Sequence, residues 1–365
     1  MFPIRSNIPL KGRGAISNGS GRYERYKTYR VNDGWIRDAD FAPSPIGITV
    51  TNETPKTIIS SNQSPDIAFD LSLNAYRGCE HGCIYCFARP THAYHGMSPG
   101  LDFERQLFAK PNAATVLENE LRKPGYKPKT LAIGTNTDPY QPIERNKRIT
   151  RKVLEILSTY NHPVAITTKS QLILRDLDIL ASMAERSILS VGVSITTLDR
   201  NTSRIMEPRA PTPKRRLETV HKLASANIPV TVMLAPVIPG INDHEIENII
   251  AAAAEAGAEA VDYILLRLPK EVKGLFKEWL GTHYPDRAQK VLSLISQHRG
   301  GKLSSSNWFK RMQGDGPLAS LLKQRVAVTC KRFNLNLESA RSSRLRKDIF
   351  GPPPAKGDQL SLFQA

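Results

Sequence analysis

The chain has 365 residues, of which 40% are hydrophobic and 23% charged, and its 51 Lys and Arg against 34 Asp and Glu give a formal net charge of +17. It contains no apolar run of the roughly 18 residues that a membrane-spanning helix needs. The basic first thirty residues lack the apolar stretch of a secretory signal, so we expect a soluble, cytoplasmic protein.

The positive charge is concentrated at two ends of the chain. Residues 1–37 hold eight basic and two acidic residues, a net +6, and residues 299–350 hold twelve basic and three acidic residues, a net +9. Clustered Lys and Arg gain affinity for a phosphate polymer by displacing its condensed counterions. The distribution therefore favours a nucleic-acid partner, and the alternative is that the charges only solubilise the ends.

Residues 1–65, rich in Gly, Asn, Ser, Pro and Arg, predict an irregular basic N-terminal arm that lies on the body or is partly disordered. After this arm, apolar runs of strand length alternate with amphipathic segments of helix length. The predicted strands are 67–76, 131–134, 164–167, 189–194, 230–234 and 260–266, and the predicted helices are 147–160, 172–185, 213–226 and 243–256.

Six strands that alternate with helices predict parallel βα units with right-handed crossovers. Such units form either an open doubly wound sheet or a complete or partial barrel, and in both the functional residues gather where the strands end. We expect Asn242 or Asp243 to cap the last of these helices and Gly257 to end it.

Residues 299–350 form a basic C-terminal extension, in which the sequence predicts a helix over 318–331 and places Trp308 and Phe309 among the charges. Residues 351–357, Gly-Pro-Pro-Pro-Ala-Lys-Gly, predict a stiff linker. The sequence thus divides into an arm, a core over 66–298, this extension, and a linker with its terminal peptide over 351–365.

Three of the four cysteines lie within eight residues, directly after the first predicted strand: Cys79, Cys83 and Cys86, which we call the cluster cysteines. Three thiolates at this spacing, in a loop freed by Gly78 and Gly82, suit a [4Fe-4S] cluster and leave one iron without a protein ligand. They are the predicted metal ligands and the core of the predicted catalytic site. A structural zinc site would need a fourth ligand such as His81, His92 or His95.

The Cys-x-x-x-Cys-x-x-Cys motif, with Tyr85 just before its third cysteine, resembles the radical S-adenosylmethionine (SAM) signature. The resemblance implies a partial (β/α)6 TIM-type barrel over roughly residues 66–298, with the irregular basic extensions on either side. It also implies that the SAM amine and carboxylate chelate the open iron, and that an electron from the reduced cluster cleaves SAM to methionine and a 5′-deoxyadenosyl radical. An electron donor such as flavodoxin or ferredoxin is implied as well.

Residues 134–140, Gly-Thr-Asn-Thr-Asp-Pro-Tyr, and residues 167–170, Thr-Thr-Lys-Ser, resemble the branch that contains spore photoproduct lyase and its DNA repair photolyase-like relatives. The SAM contacts implied by this resemblance are Lys169 for the carboxylate, Thr135 and Asn136 for the amino group, Ser194 for the ribose and Tyr85 for the adenine. Taken by themselves, Lys169 is equally an ordinary surface lysine and Ser194 a hydroxyl at the edge of the core.

Two departures from that branch limit the expected reaction. The lyase donates a hydrogen from a cysteine on its second strand, where this chain has the region of Thr135, and the spare Cys330 lies far away in the basic extension. The lyase also has a tyrosine directly after the third cluster cysteine, where Phe87 has no hydroxyl hydrogen to give. The sequence therefore predicts radical chemistry but not reversal of a thymine dimer.

Residues 204–216 follow the fourth predicted strand and are expected on the active face. Glu207 among several arginines, including Arg209, would bind ribose hydroxyls on one side and substrate phosphate on the other. The alternative is a proline-stiffened loop with solvated charges.

The terminal peptide resembles the pentapeptide by which bacterial replication and repair proteins bind the sliding clamp; its matching residues are Gln359, Leu360, Leu362 and Phe363. The alternative is that this peptide covers the protein's own core. The leading hypothesis is a lyase-like radical SAM enzyme that acts on nucleic acid, with DNA favoured, in DNA repair. The alternatives are radical SAM modification of RNA or protein, and a non-catalytic iron-sulfur or zinc module that binds DNA.

Overall fold

The computed structural model describes residues 10–24, 47–338, 340 and 344–354. The strands of these residues are β1 (Thr49–Asn52), β2 (Ile59–Ser61), β3 (Leu71–Leu73), β4 (Tyr76–Arg77), β5 (Gln106–Ala109), β6 (Leu131–Ile133), β7 (Val164–Thr168), β8 (Leu189–Ser194), β9 (Val230–Val237) and β10 (Ala260–Leu265). The α-helices are α1 (Asp102–Arg105), α2 (Ala113–Leu121), α3 (Glu144–Lys147), α4 (Ile149–Thr159), α5 (Leu177–Glu185), α6 (Arg200–Met206), α7 (Pro213–Ser225), α8 (Ile246–Glu255), α9 (Val272–His283), α10 (Ala288–Gln297), α11 (Lys310–Gln313) and α12 (Pro317–Arg332).

A seven-stranded sheet with the order β10-β9-β8-β7-β6-β3-β2 forms the body. Its neighbours from β3 to β10 are parallel, and only β2 runs antiparallel, beside β3. The parallel βα prediction is confirmed. Because β10 and β2 are the two edges of the sheet, the barrel is partial and open rather than closed.

The first predicted strand, 67–76, was too long. Only Leu71–Leu73 belongs to the barrel sheet; the chain then leaves it, and β4 pairs antiparallel with β5 in a small sheet of order β1-β5-β4. Just after Leu73, the Asn74 side chain donates to the Thr135 hydroxyl and accepts from the Asn136 N–H, which ties this part of the chain to the loop after β6.

The prediction that Asn242 or Asp243 caps α8 was wrong. Asn242 donates its side-chain amide to the carbonyls of Thr196 and Pro236, and Asp243 accepts from the backbone N–H of Gly240. These hydrogen bonds compete with capping, and a 3₁₀ turn (Asp243–Glu245) precedes the helix. Gly257 does follow the end of α8, with a φ of +90°.

Alternate residues of each barrel strand face the helices or the concave interior. On β7, Val164 and Ile166 pack into the core beneath the helices, whereas Thr167 is exposed. A Cβ atom built on Gly192 of β8 would lie 3.3 Å from both Thr167 Oγ1 and Met233 Cγ, so these three residues share the concave face. Gly192 therefore lets the Thr167 and Met233 side chains lie close to the backbone of β8 on this face.

The described part of the N-terminal arm packs into the core, across the boundary predicted at residue 66. Ala15 and Ile16 are buried in the same apolar cluster as Cys83. The boundary also divides the β2–β3 hairpin, which the sequence did not predict because β2 is short and rich in serine.

The C-terminal extension also packs on the barrel. The predicted helix 318–331 is confirmed as α12, and its Leu322, Val326 and Cys330 side chains join the main core. Further along, the backbone N–H groups of Arg346 and Gly351 donate to carbonyls directly ahead of β8 and β7. The chain therefore runs under the face at which the strands begin. Among the described residues, no helix combines the length and apolar character needed to cross a bilayer.

Candidate active site

The cluster cysteines lie in a loop over the carboxyl ends of the barrel strands. Gly78 and Gly82 in this loop have φ angles of +72° and +67°. Added Cβ atoms would lie 2.8 Å from Leu107 Cδ2 and from Glu104 Oε2, respectively, so both the backbone angle and the packing require glycine. The Gly78 carbonyl accepts a hydrogen bond of 2.6 Å from Thr137, which follows β6.

All three cluster cysteines are free thiols; Cys79 and Cys83 are buried and Cys86 is half-buried. Burial raises the pKa of Cys83 to about 12 and that of Cys79 well above its usual value. Metal binding would therefore displace protons from these thiols. In the described part of the chain, no three His, Cys, Asp or Glu side chains surround a single metal position. A cubane instead takes one thiolate at each of several irons, which three free thiols in one loop can supply.

On one side the loop is held by the N-terminal arm. Glu104 and Arg89 form a fully buried ion pair of 2.5 Å, and Glu104 also accepts from the backbone N–H groups of Gly14 and Ala15 at 3.0 and 2.9 Å. A Cβ atom on Gly14 would lie 1.8 Å from the carbonyl oxygen of Gly82, so the arm crosses the loop in direct backbone contact. The sequence reading missed these residues because they lie about ninety positions apart.

On the other side the loop is held by the segment after α6. The carbonyl of Met206 accepts from the N–H of Ile84, and the N–H of Arg209 donates to the carbonyl of His81. The Arg209 side chain, about one third exposed, pairs with Glu80 at 2.9 Å. Both sides together fix the shape of the loop through the protein's own contacts.

Asp138, after β6, links the loop to the end of β7. It accepts hydrogen bonds from the Thr168 hydroxyl at 2.7 Å and from the Lys169 N–H at 2.8 Å, and it lies 3.3 Å from His81 Nδ1. Burial acts to raise the pKa of Asp138, but His81 and these hydrogen bonds lower it to about 2. Asp138, which sequence reasoning missed, and His81, which it considered only as a zinc ligand, therefore position the backbone that carries Lys169.

Lys169 presents its amine toward the cluster loop. The amine lies 5.8 Å from the centre of the Tyr85 ring, and the described residues provide it with no hydrogen bond or ion pair. Burial acts to lower the pKa of Lys169, but Cys83 and Glu207 raise it above its usual value. The result is a half-buried cation beside the cluster cysteines.

The other polar residues predicted for SAM lie at neighbouring strand ends. Thr135, half-buried, and Asn136, exposed, follow β6; the Thr135 hydroxyl accepts from Asn74 at 2.9 Å, and the Asn136 N–H donates to Asn74. Ser194 is buried at the end of β8, and its carbonyl accepts from Arg216 at 3.1 Å. Asn74 and Arg216 were not predicted.

Glu207 is buried, which excludes the alternative of a solvated charge at this position. One of its carboxylate oxygens accepts from the Tyr85 hydroxyl and the other from Arg216, which is buried too. Burial acts to raise the pKa of Glu207, but Arg216 and Lys169 lower it below its usual value. The charged carboxylate thus anchors Tyr85, and its role toward ribose or phosphate stays a prediction.

The family model described as the radical SAM superfamily matches residues 73–253. The chain belongs to the radical SAM superfamily. An uncharacterized protein of Mycobacterium tuberculosis is 35% identical over 299 residues, which cover 80% of this chain and 84% of that protein. An uncharacterized protein of Methanocaldococcus jannaschii is 26% identical over 215 residues, which cover 59% of this chain and 76% of that protein.

Two solved structures of spore photoproduct lyase share the fold of this radical SAM protein. One is complexed with dinucleoside spore photoproduct, with a TM-score of 0.56, 15% identity, and coverage of 78% of this chain and 79% of that chain. The other is a mutant with bound AdoMet and dinucleoside spore photoproduct, with a TM-score of 0.56, 15% identity and 78% coverage of each chain. The predicted partial barrel is confirmed.

Membership of the radical SAM superfamily implies an enzyme that uses SAM and a [4Fe-4S] cluster. The chain's donors fit that group, because three free thiols share one glycine-shaped loop beside an available cation. The terminal peptide, Gln359, Leu360, Leu362 and Phe363, lies outside the described residues.

Proposed function

We propose that this protein is a radical SAM enzyme that acts on nucleic acid, in DNA repair. The observation that carries the proposal is the meeting of three free cysteines and the Lys169 amine over the carboxyl ends of the barrel strands. When bound to the cluster cysteines, the [4Fe-4S] cluster with SAM supplies the reductive cleavage that yields methionine and a 5′-deoxyadenosyl radical.

The protein's own residues would bind and orient SAM. Lys169 offers a point charge for the carboxylate, because Asp138 fixes its backbone while its amine stays available. Thr135 and Asn136 offer polar groups for the amino group at the next strand end, and Ser194 lies at the ribose side. Tyr85, with its hydroxyl held by Glu207, presents its ring beside Lys169 and would contact the adenine side of SAM.

Two observations support nucleic acid as the substrate. The basic extension carries a net charge of +9 over residues 299–350, and it packs on the barrel through α12. The fold is also that of a lyase whose structures hold a dinucleoside photoproduct. Dimer reversal by that lyase's route is not proposed, because Phe87 follows Cys86 and Cys330 is buried in the distant core.

The proposal includes two partners. A flavodoxin or ferredoxin in the cytoplasm would reduce the cluster, and the bacterial sliding clamp would bind residues 359–363. The last described residues run under the face opposite the cluster loop. A clamp bound to residues 359–363 would hold the enzyme near DNA.

The test uses anaerobically reconstituted protein with a strong reductant, SAM, and defined damaged and undamaged DNA. The expected result is 5′-deoxyadenosine together with a changed DNA product, detected by mass spectrometry. Absence of 5′-deoxyadenosine after full cluster loading would refute the enzymatic proposal. If 5′-deoxyadenosine forms and RNA or protein is changed while DNA is not, the proposal that DNA is the substrate is refuted. Deletion of residues 359–363 should abolish clamp binding, and unchanged binding would refute the clamp.

A further inference from the structure

The exposed aromatic side chains of the described residues belong to segments that contact a single loop between β10 and α9, directly or through one neighbour. Those more than one third exposed are between 50% and 65% exposed and belong to Tyr23, Phe87, Tyr94, Trp308 and Phe309. We call these five residues the aromatic rim. Exposed aromatic rings that cluster on a surface indicate a contact site rather than a packing accident.

The loop between β10 and α9, Arg267–Glu271, lies at the centre of the aromatic rim. The guanidinium of Arg267 lies 5.7 Å from the centre of the Phe87 ring, and Phe87 directly follows the cluster cysteine Cys86. Because this loop follows the carboxyl end of β10, the rim belongs to the active face.

On one side of this loop, Glu271 pairs with Arg22 of the N-terminal arm at 2.8 Å. The guanidinium of Arg22 lies 4.7 Å from the Tyr23 ring centre and 5.0 Å from that of Tyr94, and the two rings are 5.2 Å apart. The ion pair therefore fixes two exposed rings beside a cation.

On the other side, Arg267 donates to the Met312 sulfur of α11 at 3.4 Å. Phe309, just before α11, donates its backbone N–H to Asp66, and Arg311 pairs with the same carboxylate at 2.5 Å. Asp66 lies between β2 and β3, so this segment spans the two edges of the open sheet, from β10 to the β2 side. It holds Phe309 and the neighbouring Trp308 at the opening of the barrel.

Arg267 is the cation at the centre of the rim. It is half-buried, and it forms no ion pair with an acidic side chain among the residues that the structure describes. Burial and the neighbouring Arg311 lower its pKa from the usual arginine value, while the charge of Asp66 acts to raise it. A bound anion would likewise stabilise the charged form of Arg267. Two oxygens of a tetrahedral phosphate group can accept hydrogen bonds from the planar guanidinium, which gives a bidentate contact.

We propose that the aromatic rim binds an unpaired strand of DNA, whose bases stack on the exposed rings while Arg267 binds a backbone phosphate. Exposed rings interleaved with cations suit single strands, since every base has a face that can stack, whereas a duplex keeps those faces inside. This inference rests on the proposed function and deepens it: the radical would act on a base that is already unpaired beside Phe87.

The test measures fluorescence anisotropy of a labelled thymidine oligonucleotide of about 15 nucleotides, within the span that single-strand binding sites cover, with the full-length reconstituted protein. The aromatic variants are Trp308→Ala and Tyr94→Ala, and the matched control is Leu321→Ala, an exposed side chain of α12. Each aromatic variant should weaken binding about fivefold or more, the loss expected for one stacking ring. The control should bind as the wild type does, and circular dichroism should show all three folded.

A second pair of variants tests the phosphate contact. Arg267→Gln should reduce the slope of log Kd against log salt by about 0.7, the value for one phosphate of a single strand. Lys152→Gln, an exposed charge of α4 outside both basic ends of the chain, should leave the slope unchanged. A slope unchanged by Arg267→Gln would refute the phosphate contact.

The wild-type protein is also titrated with the duplex of the same sequence and with a uridine oligonucleotide of the same length. Three outcomes would overturn the proposal: both aromatic variants bind the thymidine oligonucleotide as the wild type does, the duplex binds equally well, or the uridine oligonucleotide binds more tightly. Cleavage of SAM by the wild-type protein is measured separately. Binding that depends on the rim without SAM cleavage would refute the proposed function and leave this inference standing. SAM cleavage together with an affinity that the rim variants do not change would refute this inference and leave the proposed function standing.

Discussion

The buried pair of Glu207 and Arg216 gives the most discriminating test of how the site is built. Their side chains are 0% and 1% exposed, and Glu207 also accepts from Tyr85. Glu207→Gln keeps the shape but leaves the Arg216 charge buried without its counter-charge. Breaking a buried pair in this way costs about 3–5 kcal/mol.

The contacts of Arg216 favour the lower end of this range of free-energy costs. Arg216 keeps its hydrogen bonds to the carbonyls of Pro211 and Ser194, at 2.8 and 3.1 Å, when the carboxylate is neutralised. We therefore expect a loss of about 3 kcal/mol in the free energy of unfolding. Tyr85→Phe should cost less, about 1.5–3 kcal/mol, because it removes a single hydrogen bond to a charged group.

The assay is equilibrium urea unfolding of the metal-free protein, followed by circular dichroism without oxygen. Arg216→Met is measured alone and together with Glu207→Gln, because residues in contact show a coupling energy of about 0.5–3 kcal/mol. A cost below about 1 kcal/mol for Glu207→Gln, or no coupling in the double variant, would contradict the reasoning. Glu207 would then face the ligand, as the sequence had suggested.

Three further predictions follow from the site and the fold. Alanine at any cluster cysteine should abolish bound iron and 5′-deoxyadenosine formation, whereas Cys330→Ala should keep both; loss of iron from Cys330→Ala would show that the ligands are misassigned. Lys169→Met should raise the Kd for SAM about tenfold or more, roughly the 1.4 kcal/mol of one modest ionic contact, in equilibrium binding to the reconstituted protein; an unchanged Kd would remove Lys169 from the SAM site. Burial lowers the pKa of His162 from 6.5 to about 4, so the unfolded chain takes up a proton first as the pH falls. The free energy of unfolding should therefore decrease between about pH 6.5 and pH 4, by up to about 3 kcal/mol, and urea midpoints of the wild type and His162→Gln that change equally with pH would contradict this.

The sequence predicted those features that depend on local pattern. Strand-length apolar runs found the barrel strands from β6 to β10, because a short continuous apolar segment indicates a buried strand without reference to the rest of the chain. The cluster loop was found because three cysteines and two glycines lie within nine residues. Both signals are carried by residues that are close in sequence.

The contacts that shape the site could not be found in this way. Glu104 meets Gly14 across 90 positions, and Arg209 meets Glu80 across 129. The prolines and charged residues around Glu207 would suit a solvated loop as well as a buried ion pair. Only the packing of the folded chain distinguishes these two structures. Asn242 shows the same limit, since a residue type suited to cap a helix instead donates to the carbonyls of Pro236 and of Thr196, 46 positions away.

The central claim is that the cluster cysteines hold a [4Fe-4S] cluster with an iron open to SAM. Electron paramagnetic resonance of the anaerobically reconstituted, reduced protein tests it most directly, before and after addition of SAM. We expect a [4Fe-4S]⁺ signal that changes when SAM is added, and we expect 5′-deoxyadenosine and methionine to form in equal amounts. A fully loaded metal centre whose spectrum SAM leaves unchanged, with neither product formed, would contradict it.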